Sequence, residues 1–150
     1  MTSVRPIETK DKEQFFELFS GYLEFYKSTL TDHVRQTTWN RFFDDSEPVY
    51  AAVAYNEENP HKLIGFVTWV LHRSTWSDNH VIYLHDLFVD PECRLKGTGR
   101  KLIEFVYADA DKRDIGKVYW HTQTFNHRAQ LLYTKVGFRD EFVSYQRHKK

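Results

Sequence analysis

The segment from Leu87 to Ile103 constrains the fold more than any other stretch of this chain. A β-rich run ends at Asp90-Pro91. A loop with two glycines, Gly97 and Gly99, follows, and the loop opens an amphipathic helix. The first N–H groups of a helix have no intrahelical acceptor and carry the positive end of its dipole. Glycines let the backbone approach a ligand closely. Arg94, Lys96, Arg100 and Lys101 add positive charge. Together these features describe an anion site suited to a pyrophosphate. Two familiar phosphate loops do not fit. The Gly-x-x-x-x-Gly-Lys-Ser/Thr spacing is absent, and the third glycine of a dinucleotide fingerprint would fall on Leu102.

The rest of the chain supplies a sheet and helices around that loop. Val4 to Ile7 reads as a first strand. Thr9 to Lys27 reads as a helix, with Phe15, Leu18, Phe19, Tyr22, Phe25 and Tyr26 at helical spacing. Thr31 or Asp32 is placed to cap a second helix ending near Phe43. Three β-rich runs follow, Val49 to Tyr55, Leu63 to His72 and Val81 to Val89, joined by short turns that imply antiparallel neighbours. A helix from Gly99 to Lys112 presents Leu102, Ile103, Val106, Tyr107 and Ala110 to the core. Then come a strand from Val118 to Thr122, a helix from Asn126 to Val136 with Gly137 at its C′ position, and a last strand from Phe142 to Gln146. This order predicts an α/β (α+β) fold with helices on both faces of one sheet, in a single domain spanning residues 1–150.

Charge and composition remove several classes. Lys plus Arg and Asp plus Glu number 21 each, which speaks against a dedicated nucleic-acid binder. No apolar stretch approaches the roughly 20 residues of a membrane span. The single cysteine, Cys93, allows no internal disulfide, and no signal peptide is evident; an intracellular protein is expected. The eight histidines show no ligand spacing, so no metal is expected.

Arg94-Leu95-Lys96-Gly97-Thr98-Gly99 matches Arg/Gln-x-x-Gly-x-Gly/Ala, and the sequence here resembles the GNAT (GCN5-related) N-acetyltransferase family. A second match lies downstream: Asn126, then Ala129 to Tyr133 as Ala-x-x-Leu-Tyr, then Gly137-Phe138. Within the family, Asp86 to Asp90 and Asn126 to Tyr133 are most similar to the fungal acetyltransferases of histones, polyamines and D-amino acids. The resemblance implies a mixed, mostly antiparallel sheet of six to seven strands with a splayed central pair. It implies acetyl-CoA as co-substrate, with pantetheine against Leu87, Phe88 and Val89. The pyrophosphate would lie on Arg94, Leu95, Lys96, Gly97, Thr98, Gly99 and Arg100, and Asn126 would meet the cofactor arm. Asn126 is equally suited to cap its helix. The resemblance also implies a homodimer or larger homo-oligomer using Phe142 to Arg147, in the cytoplasm or the nucleus.

Acetyl transfer to an amine needs a neutral nucleophile and a proton for the departing thiolate. Tyr133 matches the family's proton donor, and the Val89 N–H its oxyanion contact. The alternative for Tyr133 is a core tyrosine. The base is open. His85 and Asp86 are polar residues in an apolar run, and burial without partners would be costly. Either acts in proton transfer, or Asp86 holds a terminus while His85 lines a pocket. Adjacent strand residues face opposite sides unless a bulge intervenes. His121 is a reserve candidate. Deprotonating a lysine-like amine at pH 7 costs roughly 4–5 kcal/mol, an α-amino group about 1. Glu24, Tyr26, Asp32, Asp44, Asp45 and Glu47 are candidates for an acidic acceptor surface walled by Trp39 and Trp76. Polyamines, basic histone tails and amino acids all remain as acceptors. The competing class is a non-catalytic acyl-CoA-binding module.

Overall fold

The computed structural model describes residues 1–93 and 95–149. Its elements are β1 (Thr2–Pro6), a 3-10 turn at Thr9–Asp11, α1 (Lys12–Phe25), α2 (Asp32–Phe42), β2 (Val49–Asn56), β3 (Asn59–Arg73), β4 (His80–Val89), a 3-10 turn at Pro91–Cys93, α3 (Thr98–Lys112), β5 (Val118–Tyr119) and α4 (His127–Val136). The sheet runs β1-β2-β3-β4-β5, antiparallel except for the parallel β4–β5 pair. The mixed α/β architecture expected from the sequence is present.

Two apolar cores flank the sheet. One lies against α3 and holds Val67, Trp69, Leu71, Ile82, Leu84, Leu102, Ile103, Val106 and Ala110. The other lies against α1 and α2 and is largely aromatic: Phe15, Phe19, Trp39 and Phe66, with Phe42 and Phe88 partly buried beside them. The α1 stripe is narrower than its spacing suggests. Phe15, Leu18 and Phe19 are buried, whereas Phe25 is mostly exposed. Thr31 caps α2 by accepting from the Val34 N–H at 3.2 Å, as expected.

Three expectations are corrected. The described residues form five strands, not six or seven, because Phe142–Gln146 joins no strand. The segment is β-prone, but β5 has only two residues and offers little edge to pair with. Gly137 has extended backbone (φ −153°), so it is no left-handed cap. What it supplies is lack of bulk: a Cβ there would sit 3.0 Å from the Trp120 ring. Trp39 is a core residue, and Trp76 stands 95% exposed in the β3–β4 turn, so neither walls a common surface.

Candidate active site

The site is organised by a bulge in β4. Thr68 pairs with Asp86 and Trp69 with Leu84, which leaves His85 without a partner on β3. One extra residue shifts the alternation of everything after it. Ile82 and Leu84 face α3 before the bulge, and Leu87 and Val89 face it afterwards. On the opposite face Phe88 packs with the α1 core.

The backbone follows the same change. The Ile82 N–H donates to Lys117 O on the β5 side at 3.0 Å, while the Asp90 N–H donates to Ile64 O on the β3 side at 2.8 Å. Backbone N–H groups alternate along a strand, so those of Leu87 and Val89 point away from β3. They point into a gap. Strands β4 and β5 pair only at Ile82–Val118 and Tyr83–Tyr119, then part. The remaining β4 edge is free among the described residues, an open template for an extended ligand. Past the end of β5, Thr122 Oγ1 is buried with no hydrogen-bond partner among the described residues. Gly65, which the sequence reading passed over, lets β3 approach the end of β4. A Cβ there would lie 2.7 Å from Phe88 O and 3.3 Å from Val89 Cα.

The glycine loop sits past this gap. Gly97 is the N-cap of α3 at φ +83°, a left-handed conformation that favours glycine. Its carbonyl accepts the first helical bond, from the Lys101 N–H at 3.0 Å. Thr98 is buried, donating to Leu95 O at 2.9 Å and bonding Thr2 Oγ1 at 2.9 Å; its hydroxyl anchors the loop and does not face a ligand. Lys96 and Arg100 are exposed. Arg100 donates to Glu104 at 2.8 Å. Arg94 lies outside the described residues. Asn126 accepts from the Ala129 N–H at 3.2 Å, so it does cap α4.

At the bulge, Asp86 is mostly buried with both carboxylate oxygens occupied. Thr68 Oγ1 donates to Oδ2 at 2.6 Å, and His85 Nδ1 lies 3.2 Å from Oδ1. Burial pulls the Asp86 carboxyl upward, but the bonds from His85 and Thr68 and the nearby Tyr22 phenol outweigh it, and it titrates below the ordinary carboxylate range. An ionised carboxylate only accepts, so His85 Nδ1 carries the proton and Nε2 is left as the ring's free acceptor. The bond to Asp86 outweighs burial and raises the His85 pKa. The His85 side chain is 56% exposed. The bulge thus puts His85 and Asp86 in contact, which plain alternation would have forbidden.

Tyr22 packs 4.9 Å from Tyr26 and 6.1 Å from Phe88, ring centre to ring centre. Burial and then the Asp86 charge push its phenol far up. Tyr133 packs 5.5 Å from Trp120 on the other bank of the gap. Burial, with Tyr26 adding to it, pushes the Tyr133 phenol up to about 12, so it keeps its proton. Tyr133 therefore has both a core contact and a proton to give. His121 Nδ1 lies 3.2 Å from the Tyr83 hydroxyl. Thr68 and Tyr22 were missed from the sequence. Thr68 carried a usable signal, a lone hydroxyl between Val67 and Trp69 in an apolar run. Tyr22 carried none, since its spacing on α1 is that of a core residue.

The expected acidic surface is not one surface. Glu24 borders a cavity of about 470 Å³ between α1 and the end of β4, with Glu17, Asp90 and Glu92. Asp45 and Glu47 border a separate one of about 360 Å³ with His80 and Arg113. Tyr26 packs on Tyr22 and Phe25.

Residues 12–138 match the model of the acetyltransferase (GNAT) family. The chain belongs to this family. It is an N-acetyltransferase by that membership and by its relatives. The D-amino-acid N-acetyltransferase HPA3 of Saccharomyces cerevisiae is 42% identical over 145 residues, covering 97% of this chain and 89% of that protein. The thialysine N-epsilon-acetyltransferase of Bos taurus is 32% identical over 78 residues, 52% of this chain and 45% of its own. Among solved structures, a probable acetyltransferase superposes with a TM-score of 0.85 at 21% identity, covering 99% of this chain and 98% of that one. AAC(6')-Iy, solved with a bisubstrate analog built on CoA, gives 0.81 at 18% identity, covering 100% and 99%. At these identities the two structures show the GNAT fold.

Proposed function

We propose that this chain transfers the acetyl group of acetyl-CoA directly to a primary amine, with α-amino acids, D-amino acids first among them, ahead of polyamines and histone lysines as acceptors. The observation that carries the reading is the pairing of a base and an acid on opposite banks of one gap: His85 with Asp86 on β4, Tyr133 on α4. The relation to HPA3 supports the acceptor class.

Acetyl-CoA supplies an activated thioester carbonyl. The gap fits its extended arm: Leu87 and Val89 offer N–H groups, and the first turn of α3 after Gly97 offers an anion site for the diphosphate. Leu95, Lys96, Gly99 and Arg100 line that turn, and Arg94 is assigned there on its sequence match. Phe88 contributes backbone while its ring seals the α1 side. Asn126 holds the start of α4 and so positions Tyr133.

The chemistry divides among three side chains. His85 Nε2 takes the acceptor's proton as the amine attacks. Asp86 keeps the ring in the tautomer that leaves Nε2 free, and stabilises the imidazolium formed. The Val89 N–H meets the negative charge developing on the carbonyl oxygen. Tyr133, protonated at neutral pH, gives its proton to the departing sulfur.

The test is amine-dependent CoA release from acetyl-CoA, measured against D- and L-amino acids, spermine, spermidine and histone-tail peptides. A D-amino acid is expected to give the highest kcat/KM. Measurable acetyl-CoA binding with no release for any amine would sink the enzyme reading and leave an acyl-CoA-binding module.

A homodimer belongs to the same proposal. Phe138, Phe142, Val143 and Tyr145 are 78–93% exposed along an extended C-terminal segment, which a second copy would cover. Light scattering on the native chain and on Phe142→Glu checks it: a dimer that becomes a monomer is expected.

A further inference from the structure

Beside the bulge the sheet carries a run of rings that the transfer chemistry does not use. Tyr83, Tyr119 and His72 lie on the face opposite Ile82, Val118 and Leu71, whose side chains enter the α3 core or pack against it. Tyr83 is 5.0 Å from His85 and 5.0 Å from Tyr119, ring centre to ring centre, and His121 is 5.4 Å from Tyr83. His72, His85 and His121 are exposed, so the surface is open to solvent. It begins at the proposed base and runs outward across β4 and β5.

The rings are held in place. His72 Nδ1 donates to Arg73 O at 2.8 Å, since a carbonyl can only accept. The Tyr119 hydroxyl bonds His72 Nε2 at 2.7 Å. His121 is fixed through Nδ1 by the Tyr83 hydroxyl at 3.2 Å, which leaves its Nε2 for a ligand. The Lys117 ammonium stands 5.4 Å from the centre of the Tyr119 ring.

We infer that this imidazole and phenol platform recognises the acceptor, and that it selects a free amino acid with an aromatic side chain. The inference rests on the acetyl-transfer reading above. With its α-amine at His85 Nε2, such an acceptor lays its ring over Tyr83 and Tyr119 and turns its carboxylate toward His121 Nε2 and the cationic edge at Lys117. Charge decides against a polyamine. A second ammonium would meet imidazoles and Lys117, and the one carboxylate bonded to the platform among the described residues, Asp86, is already taken by His85 and Thr68.

The experiment compares kcat/KM for phenylalanine (both enantiomers), phenethylamine, alanine and spermidine in the native chain and in His121→Ala. Phenethylamine lacks the carboxylate, and alanine lacks the ring. Phenylalanine is expected to lead all three. In His121→Ala the ratio of phenylalanine to phenethylamine should fall roughly tenfold, as a rise in KM for phenylalanine, since hydrogen bonds to charged groups are worth about that factor. Comparing ratios between the two proteins removes differences in amine basicity. His121→Gln, which keeps a donor, should recover part of the loss and guards against a folding defect. A ratio unchanged by His121→Ala, or spermidine or phenethylamine outrunning phenylalanine, overturns the inference and leaves acetyl transfer standing. No release with any amine overturns both.

Discussion

Thr68 Oγ1 donates to Asp86 Oδ2 at 2.6 Å, on the residue pair that sits beside the unpaired His85. That hydroxyl is the only contact from β3 to this carboxylate among the described hydrogen bonds. Thr68→Val keeps the shape and removes the donor. A buried acceptor left without its partner costs about 1–3 kcal/mol. Urea unfolding should show a loss of that size, together with a lower kcat/KM. Native-like unfolding with unchanged kinetics would mean the bond does not organise the site.

Tyr133→Phe removes a proton donor and leaves the contact with Trp120. We expect kcat to fall by roughly 10²-fold or more, the usual worth of a positioned acid, while acetyl-CoA affinity by calorimetry changes little. An unchanged kcat would assign Tyr133 to packing alone.

The pair His85–Asp86 gives activity and stability opposite pH trends. His85 has its pKa raised above 6.5 and must lose its proton to act, so kcat/KM rises with pH through that raised value. His85→Gln should flatten this limb of the profile. For stability, His85 contributes fully below its unfolded value of 6.5, and the contribution is lost as pH rises through the folded value. Asp86 contributes above its unfolded value of 3.8, and that is lost as pH falls through the folded value. The Tm difference between the native chain and His85→Ala is therefore largest between these two limits and shrinks as pH rises through the raised His85 value. A difference that grows toward alkaline pH would contradict the pairing.

Gly65→Ala and Gly97→Ala separate crowding from backbone strain. At Gly65 the new Cβ meets Phe88 O at 2.7 Å, so strand backbone has to move; overpacking of this kind costs roughly 1–3 kcal/mol. Nothing lies within 4 Å of a Cβ at Gly97, and only its φ of +83° is penalised, by about 1–2 kcal/mol. Gly65→Ala should widen the β3–β4 contact and weaken acetyl-CoA binding, and thermal melts with calorimetry on both variants check this. Equal losses of affinity would place the Gly65 effect elsewhere.

The sequence carried the helices, the three central strands and the glycine loop, because each repeats a period or needs a special residue. Val118 to Thr122 read as five strand residues and formed two. Its apolar alternation is satisfied on the α3 side whether or not its backbone pairs, so periodicity could not reveal where β5 leaves β4. His85 and Asp86 were conspicuous as polar residues in an apolar run. Their contact was not legible, since it depends on one residue of mismatch with β3, and register is a property of two strands together. Trp39 and Trp76 look alike in sequence, yet one fills the α1 core and the other is 95% exposed. The helix and turn around each decided that.

The unpaired residue at position 85 acts like a frame-shift written into the strand. Upstream of it the chain is read in one phase, downstream in the other, and only the sum gives both an apolar side toward α3 and N–H groups toward the gap. Pairing the same residues with β3 without the bulge would turn Phe88 toward α3 and the free amides of Leu87 and Val89 back toward β3. Many residue types are compatible with such a strand. A change in its length is not, so relatives that keep this site should differ in spelling here and agree in letter count.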